Sequence, residues 1–379
     1  MHASRRRGNR FLLAVACLTL LGGCASGPEA GDLKRVPPLV SLVEKSASSR
    51  WLAQGTDQFE VWVCNVPADT SATIYGGLPL RRSLDPARLA QLLERRVPAY
   101  FATVSDGAYQ PHFVPGGVAN LGRDDEPTAC VDQAIRGAQS ATRAVLVVAN
   151  AEHAPGHPGG MSSAGDSATA NGPAPVSATR RYVYVGAADF APEWGDDPPV
   201  DLVEHEIGHS LGWVHSGMGS AGVGSQSQYL SPVDLMSNSA APRAVDSARR
   251  DGPVPIALHR LLSGWLPNSA VVTADQSFSS RLDPSTDPEG VRLMALAVDN
   301  QHFLTVEHVT AVGFNDHLPH EGLVVHEVVV ENGAISSITP LHGASDDGPV
   351  LQRGDQASGA GWSVTFMLDG SVRARRAGP

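Results

Sequence analysis

The sequence predicts a mixed α/β domain with a mixed sheet, followed by a β-rich C-terminal domain. Two observations carry this. Between residues 59 and 190, β-like runs alternate with segments of helical periodicity, as in a sheet with crossover helices. From residue 271 onward, short β-like runs are separated by Gly, Pro, Asn and Asp turns, and helical periodicity is almost lost. A chain of 379 residues has room for one large domain and a smaller one. No repeat of fixed period interrupts it.

The first element is a leader. Arg5, Arg6, Arg7 and Arg10 precede the apolar run "FLLAVACLTLL", which is too short for a comfortable membrane span and reads as a signal peptide over 1–23. It ends in "LGGC". That ending resembles the bacterial lipobox, whose cysteine is lipidated and becomes the mature N-terminus, so Cys24 is the expected lipidation site. Ala25 and Ser26 follow, with no aspartate to suggest inner-membrane retention. The expectation is an exported protein, lipid-anchored in the bacterial cell envelope at the outer membrane or cell surface. Residues 24–57 are rich in Ala, Ser, Gly and Pro and read as a tether.

"FEVWVCNV" (59–66) reads as a strand. "DPARLAQLLERRVPAYFATVS" (85–105) has apolar residues at helical spacing, an Asp cap and Pro86 at the first helical position. "YQPHFVPGGVANL" (109–121) suggests a strand interrupted by prolines, and "CVDQAIRGAQSA" (130–141) a helix. "RAVLVVAN" (143–150) is continuously apolar, as in a strand buried on both faces. The Gly/Pro/Ser/Ala-rich stretch 154–180 is too long for an idle connection. "RYVYVGAADF" (181–190) is a further strand. Beyond residue 271, "VRLMALAV", "HFLTVEHV", "GLVVHEVVV" and "WSVTFMLDGSVRARR" supply the β-like runs of a domain over 271–379.

A formal net charge of -11 argues against a nucleic-acid partner. Cys17 and Cys24 belong to the leader, leaving Cys64 and Cys130 in the folded part. In an exported chain two remaining cysteines are expected to pair. The alternatives are two buried thiols, or a cysteine capping a metal in a latent form.

The chemistry concentrates in "HEIGHSLGWVH" (205–215). His205 and His209 are one helical turn apart, so both imidazoles project from one face and can reach one metal ion. Glu206 is offset by about 100° and points toward a water on that metal, as a general base does in the HExxH arrangement. A helix continued to His215 would carry it about 9 Å further along the axis, whereas zinc–nitrogen bonds are only about 2 Å long. The chain must therefore turn, and Gly212 supplies the left-handed conformation that ends a helix cheaply. Three histidines and one open position make a catalytic zinc site.

This stretch resembles the extended metzincin signature HExxHxxGxxH at every fixed position. Metzincins carry a methionine turn downstream, and "SPVDLMSN" places Met236 there, as flooring and not as a ligand. The chain is most similar to the gametolysin-like and immune-inhibitor-A-like group, through "ALHRLLSGWLPNSAVV" (257–272) and "FLTVEHVTAVGFNDHLPHEGLVVHEVVV" (303–330). The resemblance spans roughly 140–330. It implies a zinc metalloendopeptidase domain over 58–270, with one catalytic zinc held by His205, His209 and His215, and a protein or peptide substrate. The chain departs from the serralysin and astacin types at Asn238, where those carry a tyrosine, so no oxyanion-stabilising tyrosine is assigned. Tyr229 reads as an ordinary loop residue.

Two other functions compete: a zinc-dependent adhesin or binding protein that does no chemistry, and a hydrolase restricted to glycoproteins or cell wall. Glu206 argues against the first, because ligation and packing alone require no carboxylate there. His153 and His157 read as solvated loop residues, with a second metal as the alternative. His317 and His320 read as a surface turn. Asp196, Asp197 and Asp201 admit a calcium site or charge complementing a helix N-terminus. Trp213 and Leu211 read as core contacts.

Overall fold

The computed structural model describes residues 30–48, 53–65, 83–121, 127–151, 160–163, 180–187, 190, 194–217, 229–343 and 348–377. Cys24, His153 and His157 lie outside them. No helix among the described residues is long and apolar enough to cross a membrane.

The chain begins with helix α1 (Pro37–Ala47) and strand β1 (Gly55–Asn65), followed by α2 (Pro86–Glu94), α3 (Val97–Val104) and β2 (Tyr109–Asn120). Next come α4 (Pro127–Gly137), β3 (Ala144–Ala149), β4 (Gly160–Ser162), β5 (Arg181–Val185) and α5 (Asp201–Ser210). These five strands form one mixed sheet in the order β2-β1-β3-β5-β4. Its pairs are parallel except β4 with β5.

Alternation along the strands explains both layers of this domain. Phe59, Val61, Val63, Leu146, Val148, Val183 and Val185 face one side, packed with Leu89, Leu93 and Phe101 of α2 and α3 and with Val203 and Ile207 of α5. Cys64, Val145, Val147 and Tyr184 face the other, packed with Val131 and Ala134 of α4. Covering on both faces is why β3 is apolar at every position. Strand β2 is a sheet edge, where its prolines remove no needed donor. It runs through Pro111 and Pro115 with a register shift opposite Val61 and Val63, where the sequence suggested an interruption. Cys64 and Cys130, both fully buried, form a disulfide with Cα atoms 5.6 Å apart, tying β1 to α4.

Helices α6 (Ala241–Val245) and α7 (Ala257–Leu262) lead to the second half. There β6 (Val271–Ala274), β7 (Phe278–Arg281), β8 (Leu293–Ala297), β9 (His302–Val309) and β10 (Gly322–Glu331) precede β11 (Ala334–Leu341) and β12 (Val350–Leu351). The last strands are β13 (Gln356–Gly359), β14 (Trp362–Phe366) and β15 (Ser371–Arg376). One sheet runs β11-β10-β9-β8-β6, with β12 added beside β10; the other runs β13-β14-β15-β7.

The structure corrects two expectations. Much of the stretch read as a tether, 24–57, is folded: α1 buries Leu39 and Leu42, with Leu33 and Val36 just before it, against Leu258 and Leu261 of α7 and Phe303 and Val328 of the C-terminal sheet. Pro37 and Pro38 start this helix, since proline tolerates the first turn. Strand β1 then begins at Gly55. The boundary drawn at residue 270 also divides a continuous core, because Ile256, Leu258, Leu261 and Leu266 pack with Val271, Leu293 and Phe303.

Candidate metal centre

Helix α5 positions the site by its periodicity. Val203 and Ile207, one turn apart, are buried against the sheet, each worth roughly 1.5–3 kcal/mol. His205 and His209 lie about 200° and 240° round from Val203, on the far side of the helix. The hydrophobic face therefore sets the direction of the imidazoles. After Ser210 the helix stops. Gly212 takes φ 91, its N–H donates to the His209 carbonyl at 2.8 Å, and Trp213 N–H donates to the Gly208 carbonyl at 3.1 Å.

That reversal brings His215 back. Its Nε2 lies 3.0 Å from His209 Nε2 and 3.3 Å from His205 Nε2. Nitrogens about 2.0–2.1 Å from one tetrahedral ion stand roughly 3.3 Å apart, so the spacing fits a shared metal. Among the described residues these three histidines are the one cluster that could hold a metal ion. His205 Nδ1 donates to the Leu235 carbonyl and His209 Nδ1 to the Trp213 carbonyl, both at 2.8 Å. A proton held on Nδ1 leaves Nε2 as the free lone pair, which is the tautomer a metal needs. Burial, with the neighbouring histidines, keeps His205 well below the usual imidazole range and so neutral.

The segment carrying Met236 supports the cluster from below. Met236 is fully buried, and its Sδ lies against the helix at Gly208. Asp234 accepts from the Ile256 N–H at 3.0 Å and from the Ser216 hydroxyl, linking the residue after His215 to the start of α7. Ser216 N–H donates to the Met236 carbonyl at 3.3 Å. Trp213 is buried, stacks on His259 and donates to Ser263 Oγ at 2.7 Å.

Glu206 is 4 % exposed, and burial pushes its carboxyl up to about 8. Its Oε2 meets no hydrogen-bond partner among the described residues. A buried, unpaired carboxylate oxygen is costly and marks a place for a partner such as water.

Other predicted residues fall elsewhere. Asp196 pairs with Arg88, Asp197 with Arg96 at 2.6 Å and Asp201 with Arg243 at 3.1 Å, so these carboxylates are engaged by arginine. Leu211 is half-buried against the core that contains Trp213. His317 is no free surface residue: its Nε2 donates to the Pro232 carbonyl at 2.8 Å and so holds the Met236 segment. His320 is exposed. Tyr229, which the sequence reads as an ordinary loop residue, has its ring centroid 4.9 Å from that of His215. Asn238 donates its backbone N–H to Ser231 and closes the turn around Met236.

No protein-family profile matches the chain, and no curated protein matches its sequence. Among solved structures, an archaemetzincin from Methanopyrus kandleri matches with a TM-score of 0.28 and 16% identity, over 55% of this chain and 95% of that one. A likeness of that size leaves the argument to the residues. The resemblance to the gametolysin-like and immune-inhibitor-A-like group likewise rests on the sequence motifs alone.

Proposed function

We propose that the protein is a zinc metalloendopeptidase of metzincin type. The observation that carries this is the convergence of three imidazole nitrogens on one point, with a buried carboxylate oxygen on the same helix that meets no hydrogen-bond partner among the described residues. The donor set fits zinc, which takes imidazole nitrogen readily and keeps an open position in catalytic sites. When bound, zinc polarises the scissile carbonyl and lowers the pKa of water beside it.

The chain's own residues do the rest. His205, His209 and His215 hold the ion, with His205 oriented by the Leu235 carbonyl and His209 by the Trp213 carbonyl. Glu206 accepts a proton from water at its carboxylate and passes it to the leaving amine. Strand β4 is the edge of its sheet and packs beside α5. An extended peptide adding along that edge would lie across the metal helix, satisfying main-chain groups that no other described strand pairs. A non-catalytic zinc-binding adhesin has no use for the buried Glu206 carboxylate. Digesting a diverse peptide and protein panel with the purified chain, with zinc and with chelator, tests the reading. Cleavage that chelator abolishes and zinc restores is expected; tight zinc binding with no cleavage of any substrate would favour the adhesin.

Export and lipid anchoring at Cys24 are part of the same proposal, supported by the leader sequence and by a disulfide that suits an oxidising compartment. Cys24→Ser should remove membrane partitioning; a variant anchored like the original would contradict the assignment.

A further inference from the structure

We propose that Gly160, on the edge strand β4, is a positioning residue for Glu206: its missing side chain leaves the space in which the catalytic carboxylate stands. This rests on the peptidase reading above and adds a residue to it.

A Cβ built on Gly160 would overlap Glu206 Oε1 and stand 2.7 Å from Cδ and 2.9 Å from Cγ. The three nearest atoms to that position all belong to Glu206. Among the described residues no other part of the protein competes for the space as closely. Backbone conformation does not explain the glycine either. Gly160 is not among the glycines with positive φ, and it pairs in regular antiparallel register with Val185 of β5. Any L-residue could follow that backbone. What a side chain could not do is leave the Glu206 carboxylate where it is.

Geometry makes this contact matter. Glu206 Oε1 rests against the strand, while Oε2 meets no hydrogen-bond partner among the described residues. The strand backbone thus acts as a wall on one side of the carboxylate and restricts it to a narrow range of positions. General-base transfer requires heavy atoms roughly 2.6–3.2 Å apart, and a displacement of about 1 Å in such a constellation costs on the order of 10²-fold. Because Glu206 is a flexible side chain, a methyl group at residue 160 would turn the carboxylate away without disturbing the sheet. The substitution is mild for the fold and severe for the chemistry.

The test combines a structural readout without metal and a kinetic one with it. In metal-free Gly160→Ala, crystallography should show the Glu206 carboxylate displaced, with β4 still paired to β5. With zinc, the variant should bind the ion as the wild type does and lose about 10²-fold in kcat with little change in KM. In a Glu206→Gln background, Gly160→Ala should lower the residual rate no further. An equal loss in both backgrounds, an unmoved carboxylate or a loss of zinc would overturn the proposal. If Gly160→Ala does not fold, Gly160→Ala combined with Glu206→Ala should fold, because the overlapping atoms are gone; failure of that double variant would also overturn it. A wild type that cleaves nothing would sink the peptidase reading, while the metal-free structure would still decide whether Gly160 places Glu206.

Discussion

The sulfur of Met236 occupies the space that a side chain on Gly208 would need: a Cβ there would stand 2.7 Å from Sδ and 2.6 Å from the Trp213 ring. Between His205 and His209, α5 thus presents bare backbone to the methionine beneath it. That close approach places the Leu235 carbonyl 2.8 Å from His205 Nδ1, so helix packing and ligand orientation are one arrangement.

Gly208→Ala should therefore weaken zinc binding by about 10–100-fold, the usual cost of disturbing the groups that orient a ligand. Helix propensity alone predicts the opposite, a gain of about 0.8–1 kcal/mol in stability. Met236→Leu, close in volume, should cost under about 1.5 kcal/mol and keep the metal, since Met236 is not a ligand. Competition with a chromophoric chelator, beside thermal melts, separates these outcomes. Wild-type zinc affinity in Gly208→Ala would show that the contact does not constrain the site.

Much of this site was legible in the sequence, for a physical reason. The spacing of His205, Glu206, His209, Gly212 and His215 is set by local geometry, helix period and a left-handed stop, which eleven residues encode by themselves. Continuous apolarity likewise marked β3 as covered on both faces. Helix α1 was missed because its prolines suggested a tether, while the residues that make it worthwhile, in α7 and β9, lie far along the chain. The contacts of Gly160, Gly208, Tyr229 and His317 depend on which distant segment folds back against them. Periodicity carries no such information, and an isolated glycine or histidine does not announce its neighbour.

The Cys64–Cys130 disulfide closes a separation of 66 residues. In the chain-entropy account a loop of that length contributes about 4 kcal/mol by restricting the unfolded state. Replacing both cysteines with alanine should lower the melting temperature markedly yet leave zinc stoichiometry unchanged, because the Cys64 side chain and α4 lie on the face of the sheet opposite α5. Intact-mass analysis with and without reductant, followed by calorimetry, checks both parts. Two alkylatable thiols in freshly exported, unreduced protein would contradict the pairing.

His326 sets a dependence on pH. It is fully buried in β10, neither ring nitrogen has a hydrogen-bond partner among the described residues, and burial pushes it down to about 4. The unfolded chain titrates this imidazole near 6.5. The folded state thus holds it neutral, and its contribution is full above pH 6.5 and is lost as pH falls through about 4. The largest effect is on the order of 3 kcal/mol. His326→Leu should melt higher than the wild type near pH 4, and this acid-side advantage should shrink by pH 7. Taking the difference between the two proteins cancels acid release of metal, which both share. A difference that does not change with pH would exclude His326 as its source.

The central claim is that His205, His209 and His215 hold zinc while Glu206 moves the proton. Glu206→Gln keeps size and removes the base; His209→Ala leaves an incomplete zinc shell. The deciding measurement is zinc per chain and peptidase rate for both variants beside the wild type. The expected result is about one zinc per chain in Glu206→Gln with a rate at least 10²–10⁴-fold lower, and loss of metal and rate together in His209→Ala. A substrate cleaved equally fast by the wild type and by Glu206→Gln, both loaded with zinc, would contradict the account.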